Sequence, residues 1–171
     1  MKKEDRALLK MRATKMALEP EISKEASASL NIIAFSLSSE IYGIESDFVS
    51  EVYPMKDFTP LPGVPSYIIG VMNVKGKVLA VIDLKKFFHL TANGLGELNK
   101  VIIVQNNEME FGILADTVQG VQSISMDIIK PAPHAVSGIG EEYLMGVTPG
   151  RIIVLNAESL LNDKKLVVNI D

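Results

Sequence analysis

Over most of the chain the apolar residues fall in short runs of strand length, several alternating with polar positions, each bounded by Gly, Pro, Asn or Ser. That length and period predict strands rather than long helices. The clearest case is Ile68–Val74 followed by Lys77–Leu84, two Val/Ile-rich runs around a Lys75-Gly76 corner, which reads as a β-hairpin. Lys-Gly is a poorer tight-turn dipeptide than Asn-Gly. The second run is apolar on both faces, with Val78, Ala80, Ile82 and Leu84 on one and Leu79 and Val81 on the other. A strand of that kind is buried on both sides, so the hairpin is expected inside a two-sided core with the Lys75 side chain at its tip.

Around this hairpin the same pattern predicts strands at Ile32–Leu37, Glu40–Glu45, Phe48–Tyr53, Val101–Gln105, Met109–Ala115, Val118–Ile124 and Arg151–Leu155. Pro54–Pro65 carries four prolines and cannot be an internal strand. Leu84–Leu90 and Ala157–Leu161 read as short helices, and Pro131–Gly140 as a Pro/Gly-rich connection. Ahead of the strands, Lys3–Leu18 has the composition of a helix, ended by Pro20, and Glu19–Leu30 that of a linker. Many short strands with frequent turn signals indicate an all-β barrel or sandwich.

The pattern also repeats. Tyr42-Gly43-Ile44, Asp47, Val49 and Val52 recur without gaps 69 residues later as Phe111-Gly112-Ile113, Asp116, Val118 and Val121. The order Gly70-Val71, Gly76-Lys77, Ile82-Asp83, Phe87-Phe88 is echoed by Gly146-Val147, Gly150-Arg151, Leu155-Asn156, Leu160-Leu161, with a hairpin two residues shorter. Two lobes of similar topology follow, each of about 60–70 residues, marginal alone at that size and therefore expected to share a buried seam with a groove where they meet. The division expected is 1–30 as helix and linker, 31–165 as the folded body, and 166–171 as a tail. Lobe one should run over roughly 40–95 and lobe two over roughly 96–162.

Composition narrows the function classes. The chain has 171 residues, is 47% hydrophobic and carries a formal charge of −4. Residues 1–18 hold six basic side chains against two acidic ones, a local +4 that leaves −8 on the other 153. The arm is either an interaction tail or a solvated terminus. An acidic body with no Trp speaks against nucleic acid as partner. No apolar run approaches the roughly 18 residues that span a bilayer, and the charged start MKKEDRALLK is unlike a signal peptide, so a cytoplasmic location without direct membrane insertion is expected. The absence of Cys removes disulfides and thiolate chemistry.

Catalytic and metal signatures are missing. His89 and His134 stand 45 residues apart with no second ligand at metal spacing, and Gly94-Leu95-Gly96 lacks the strand-and-helix context of a phosphate loop. Asp47 and Asp116 each follow a strand, where a carboxylate accepts backbone N–H groups and sets a turn. No enzyme and no cofactor are expected.

The combination of IYGIES (Ile41–Ser46), VSEVY (Val49–Tyr53), FTPLPGVPSYIIGVMNVKGKVLAVIDL (Phe58–Leu84), FGILADTVQGV (Phe111–Val121), IIKPAP (Ile128–Pro133) and EEYLMGV (Glu141–Val147) resembles the CheW family of chemotaxis coupling proteins over about 31–165. The resemblance implies two packed, five-stranded SH3-like β-barrels, in which the earliest strand or strands can join the second barrel. It implies a non-catalytic adaptor that couples the cytoplasmic tip of a chemoreceptor to the regulatory domain of a histidine kinase, recruited to membrane receptor arrays. Carried over by position, Glu51 matches an acidic site of the family, Gly70 and Asn73 its G-V-x-N strand, and Lys75 the basic residue of its N-x-R-G turn, where Arg is usual. An ammonium offers a point charge in place of a fork. Lys75 and Glu51 are expected to flank the receptor groove, with Val49 and Val118 as apolar lining. For each a plainer reading stands beside this: solvated tip, rim charge, close strand packing at Gly70, core for the two valines. Rival functions are a small-ligand barrel with a Val/Ile-lined cavity at the seam, an array-modulating scaffold of the same family, and a nucleic-acid-binding barrel with a basic aromatic face.

Overall fold

A computed structural model of the chain describes residues 28–56, 58–90, 99–131 and 139–166. The expected helix Lys3–Leu18, most of the linker, the Gly94-Leu95-Gly96 loop, His134 and the tail beyond Leu166 lie outside these residues. By contact the chain divides into two units, 1–30 with 124–128, and 31–123 with 129–171. In the first, the Met126 N–H donates to the Ala28 carbonyl at 3.0 Å, and Met126–Ile128 form one 3-10 turn. The second holds the two sheets, apart from the end residues of two strands, and the candidate site.

Eleven strands are described: β1 Ser29–Leu37, β2 Glu40–Glu45, β3 Val49–Pro54, β4 Phe58–Thr59, β5 Ile68–Val74, β6 Lys77–Ile82, β7 Lys100–Gln105, β8 Glu110–Ala115, β9 Thr117–Ser125, β10 Leu144–Val147 and β11 Ile152–Leu155. Helix α1 spans Leu84–Phe87 and α2 Ala157–Leu161. One sheet has the order β9-β1-β2-β11-β10, the other β3-β7-β8-β6-β5-β4. The second therefore has six strands rather than the expected five. The addition is β4, a two-residue edge strand inside the proline-rich stretch, a position proline tolerates.

The repeat is structural. Under it β9, β1, β2, β11 and β10 correspond to β3, β7, β8, β6 and β5, and both sheets carry them in the same order. Even the extra strand has a trace in the other sheet, as a single bridge between Lys130 and Val147. Both short helices begin with a side-chain cap, Asp83 accepting from the Lys85 N–H and Asn156 from the Ser159 N–H.

The division at residue 95 does not match the sheets. Strands β7 and β8, expected in lobe two, lie between β3 and β6, whereas β1 and β2 join the sheet of β10 and β11, as the resemblance implied for the earliest strands. Two parallel pairings cause this exchange. Ile41–Ile44 of β2 stand opposite Ile152–Leu155, and Val81 and Ile82 of β6 opposite Gly112 and Ile113. Parallel partners are joined by long connections, so no local alternation reveals them.

Two cores result, and β6 separates them. Ala80 and Ile82 face a large cluster shared by both sheets, with Phe35, Tyr42, Ile44, Ile102, Phe111 and Leu155. Leu79 and Val81 face a smaller cluster with Met72, Val74, Val101, Ile103 and Leu114. The expected two-sided burial thus holds from Leu79 to Ile82, whereas Val78, next to the tip, is 47% exposed.

Candidate protein-binding site

The tip of the β5–β6 hairpin is built by its own residues. Lys75 and Gly76 both have positive φ, 53° and 85°, the left-handed geometry a two-residue hairpin demands. Asn73 Oδ1 accepts from the Gly76 N–H at 3.1 Å and fastens the turn. Lys75 carries the cost of a non-Gly residue there, and its side chain is 69% exposed.

Its Nζ lies 2.9 Å from Glu51 Oε2. Glu51 belongs to β3, at the opposite end of the sheet, with β7 and β8 between it and β6 in hydrogen-bonded order. The contact is possible because the sheet curls on itself around the smaller core, against which Tyr53 and Met55 also pack. The Tyr53 hydroxyl donates to Glu51 Oε1 at 2.7 Å. Lys75 first and Tyr53 second hold the Glu51 carboxyl below its ordinary 4.5, while Glu51 raises both Lys75 and Tyr53 above their usual values.

The other expected residues are placed differently. Gly70 is buried beneath β4, where a Cβ would collide with the Thr59 carbonyl and the Phe58 ring; it permits close strand approach. Val49 and Val118 are half-buried against the core shared by the sheets. A register shift between Val49 and Glu51 sends Val49 to that core while Tyr53, farther along the same strand, faces the smaller one. The structure therefore joins Glu51, Asn73 and Lys75 at one tip and sets the two valines at the seam.

Two features went unread in the sequence. Tyr53 is one; its signal was an i, i+2 position on the Glu51 face. Lys85 is the other: its side chain is 2% exposed and its Nζ lies 2.8 Å from Asp116 Oδ1. Asp116 Oδ2 also accepts from the Ser38 N–H at 2.8 Å, so Asp116 serves the β1–β2 turn rather than its own. In the repeat, Lys85 becomes Glu158 and Asp116 becomes Asp47, and both line an open cleft of about 530 Å³ with Asn106, Asn107, Glu108 and Asn162. Burial, then Asp47 and Glu158, raise the Glu45 carboxyl. This polar lining is not the Val/Ile-lined cavity of the small-ligand reading. Among the described residues no group of three or more His, Asp or Glu could hold a metal ion, and no helix is long and apolar enough to cross a membrane.

The profile of the CheW-like domain family matches residues 31–165. The chain belongs to this family. The chemotaxis protein CheW of Treponema pallidum is 30% identical over 142 residues, which are 79% of this chain and 84% of that protein. The protein FrzA of Myxococcus xanthus is 30% identical over 132 residues, 77% of this chain and 82% of that one. Among solved structures, the scaffolding protein TtCheW from Thermoanaerobacter tengcongensis superposes with a TM-score of 0.70 at 30% identity, covering 83% of this chain and 90% of that one. The CheW-like match contains β2 through α2, so the curled sheet, its hairpin tip and the shared core all lie inside the family's domain.

Proposed function

We propose that this chain is a non-catalytic chemotaxis adaptor that couples the cytoplasmic tip of a chemoreceptor to the regulatory domain of a histidine kinase, in arrays at the membrane. The observation that carries the reading is the Glu51–Lys75 ion pair, presented at a fastened hairpin tip of a CheW-like domain. An exposed pair of this sort adds little stability. It does place a cation and a carboxylate at a fixed separation, where a partner helix can exchange hydrogen bonds with both. Val49 and Val118 supply apolar surface at the seam, and Asn73 and Gly70 hold the presenting strand in shape. An adaptor transmits a signal only if it binds one kinase state better than the other, which calls for a stiff body between its docking faces.

Co-sedimentation with a receptor cytoplasmic fragment and the kinase regulatory domain tests this. Lys75→Ala and Glu51→Lys each lower receptor recruitment by roughly tenfold, with the urea midpoint unchanged, as expected when one partner of a docking charge pair is lost. Wild-type recruitment by both variants removes the site assignment; failure of the unaltered chain to bind either partner removes the function.

A further inference from the structure

Glu51 has two carboxylate oxygens and the structure gives each its own donor. Oε2 takes the Lys75 ammonium at 2.9 Å and Oε1 the Tyr53 hydroxyl at 2.7 Å. An ammonium on a four-carbon stem cannot grip both oxygens as a guanidinium fork does. Left to Lys75 alone, Glu51 would be free to rotate, and an exposed pair of two long side chains loses rotamer entropy when held. Tyr53 changes that balance. Its backbone stands opposite Val101 in the β3–β7 ladder, and its ring packs against the smaller core, so its hydroxyl is a fixed point on the sheet. A tyrosine has two χ angles and loses little freedom in being fixed there.

We propose that Tyr53 is a positioning residue of the docking site: it anchors the Glu51 carboxylate so that Glu51 and Lys75 meet the partner already aligned. This rests on the adaptor reading. Tyr53 touches no partner in this scheme. It acts through Glu51, lowering the cost of ordering that side chain on binding. The arrangement also carries an internal check, because a guanidinium at position 75 could take both oxygens of Glu51 and make the phenol hydroxyl dispensable.

The test uses the full chain and three variants, Tyr53→Phe, Lys75→Ala and the double variant Tyr53→Phe/Lys75→Arg. In the free protein, a carbon-detected NMR titration follows the Glu51 carboxyl; in Tyr53→Phe it moves up toward the ordinary carboxylate range. Affinity for the receptor fragment falls about three- to tenfold in Tyr53→Phe, mostly through faster dissociation, with an unchanged thermal midpoint. The double variant recovers most of the loss, a result that a purely structural role for the ring would not produce. An unmoved Glu51 titration in Tyr53→Phe overturns the proposal. So does wild-type binding by Tyr53→Phe when Lys75→Ala binds weakly, and that outcome leaves the adaptor reading in place. Wild-type binding by both single variants overturns the docking role of the whole site, Tyr53 included.

Discussion

At position 112 a methyl group would collide with Cγ1 of Val101, a β-branched side chain on a strand hydrogen-bonded on both sides, between β3 and β8. Position 76 is the opposite case: nothing lies within 4 Å of where its Cβ would be, but φ is +85°. The two glycines of one sheet are thus required for different reasons, space and backbone. Gly112→Ala is expected to destabilise by about 1–3 kcal/mol through overpacking. Gly76→Asn should be close to neutral, because Asn tolerates the left-handed region, whereas Gly112→Asn should be worse than Ala. Urea midpoints at constant m-value separate them. A tolerated Gly112→Asn would mean that β7 and β8 are not packed this closely. In the sequence, Gly112 was legible as the second copy of Gly43, but its reason was not, since Val101 is brought to it only by the β7–β8 pairing.

Among the elements, the segment after α2 is held by two phenols. The Tyr143 hydroxyl donates to Asp163 and the Tyr67 hydroxyl to the Lys165 carbonyl at 2.7 Å, while the Tyr143 ring lies 5.4 Å from Phe87 and 5.6 Å from Phe88. Burial first, then the hydrogen bond to Asp163, push the Tyr143 phenol above its ordinary 10.0; burial and Asp163 raise Tyr67 as well. The sign follows. An acid whose folded value is raised favours its neutral form in the native state, so its contribution is intact below pH 10 and declines as the unfolded chain ionises above it. Stability should fall as the pH rises above about 10, toward the raised folded value, and Tyr143→Phe should flatten that fall while lowering stability at neutral pH. Chemical denaturation across that range measures both; an equal slope in the variant would show that Tyr143 ionises normally. At this scale much was readable. The hairpins β1–β2, β5–β6 and β7–β8 follow alternation and turn residues. Strand β4 was hidden because two residues carry no period, and β10 was legible only through the repeat, as the counterpart of the strand at Gly70-Val71, because its short run alone differs little from an apolar loop. Of the site, Glu51, Asn73 and Lys75 were found through a resemblance; their meeting depends on a curl of the sheet that no local pattern encodes.

For the whole molecule the consequence lies in the exchange of hairpins between halves. Strands β1 and β2 complete the sheet of β10 and β11, and β7 and β8 fill the middle of the sheet that carries the Lys75 tip. The buried cluster between them draws Phe35 and Tyr42 from one sheet and Ile102 and Phe111 from the other. Two partners docked on different sheets would therefore press on one packed interior, the stiffness an adaptor needs if binding at one face is to bias the other. A chain divided between α1 and β7 tests the exchange directly. The first fragment keeps β3 without the strand it pairs with and β2 without its parallel neighbour; the second keeps β9 with no hydrogen-bonded neighbour at all. Neither holds a complete sheet, so neither should show a cooperative unfolding transition alone, and an equimolar mixture should recover the β-sheet circular dichroism and a single transition. A sequential pair of lobes would behave otherwise, each fragment retaining its own strands and its own melt. Independent folding of either fragment would thus refute the interleaved topology, and with it the common core through which the two proposed docking faces would be coupled.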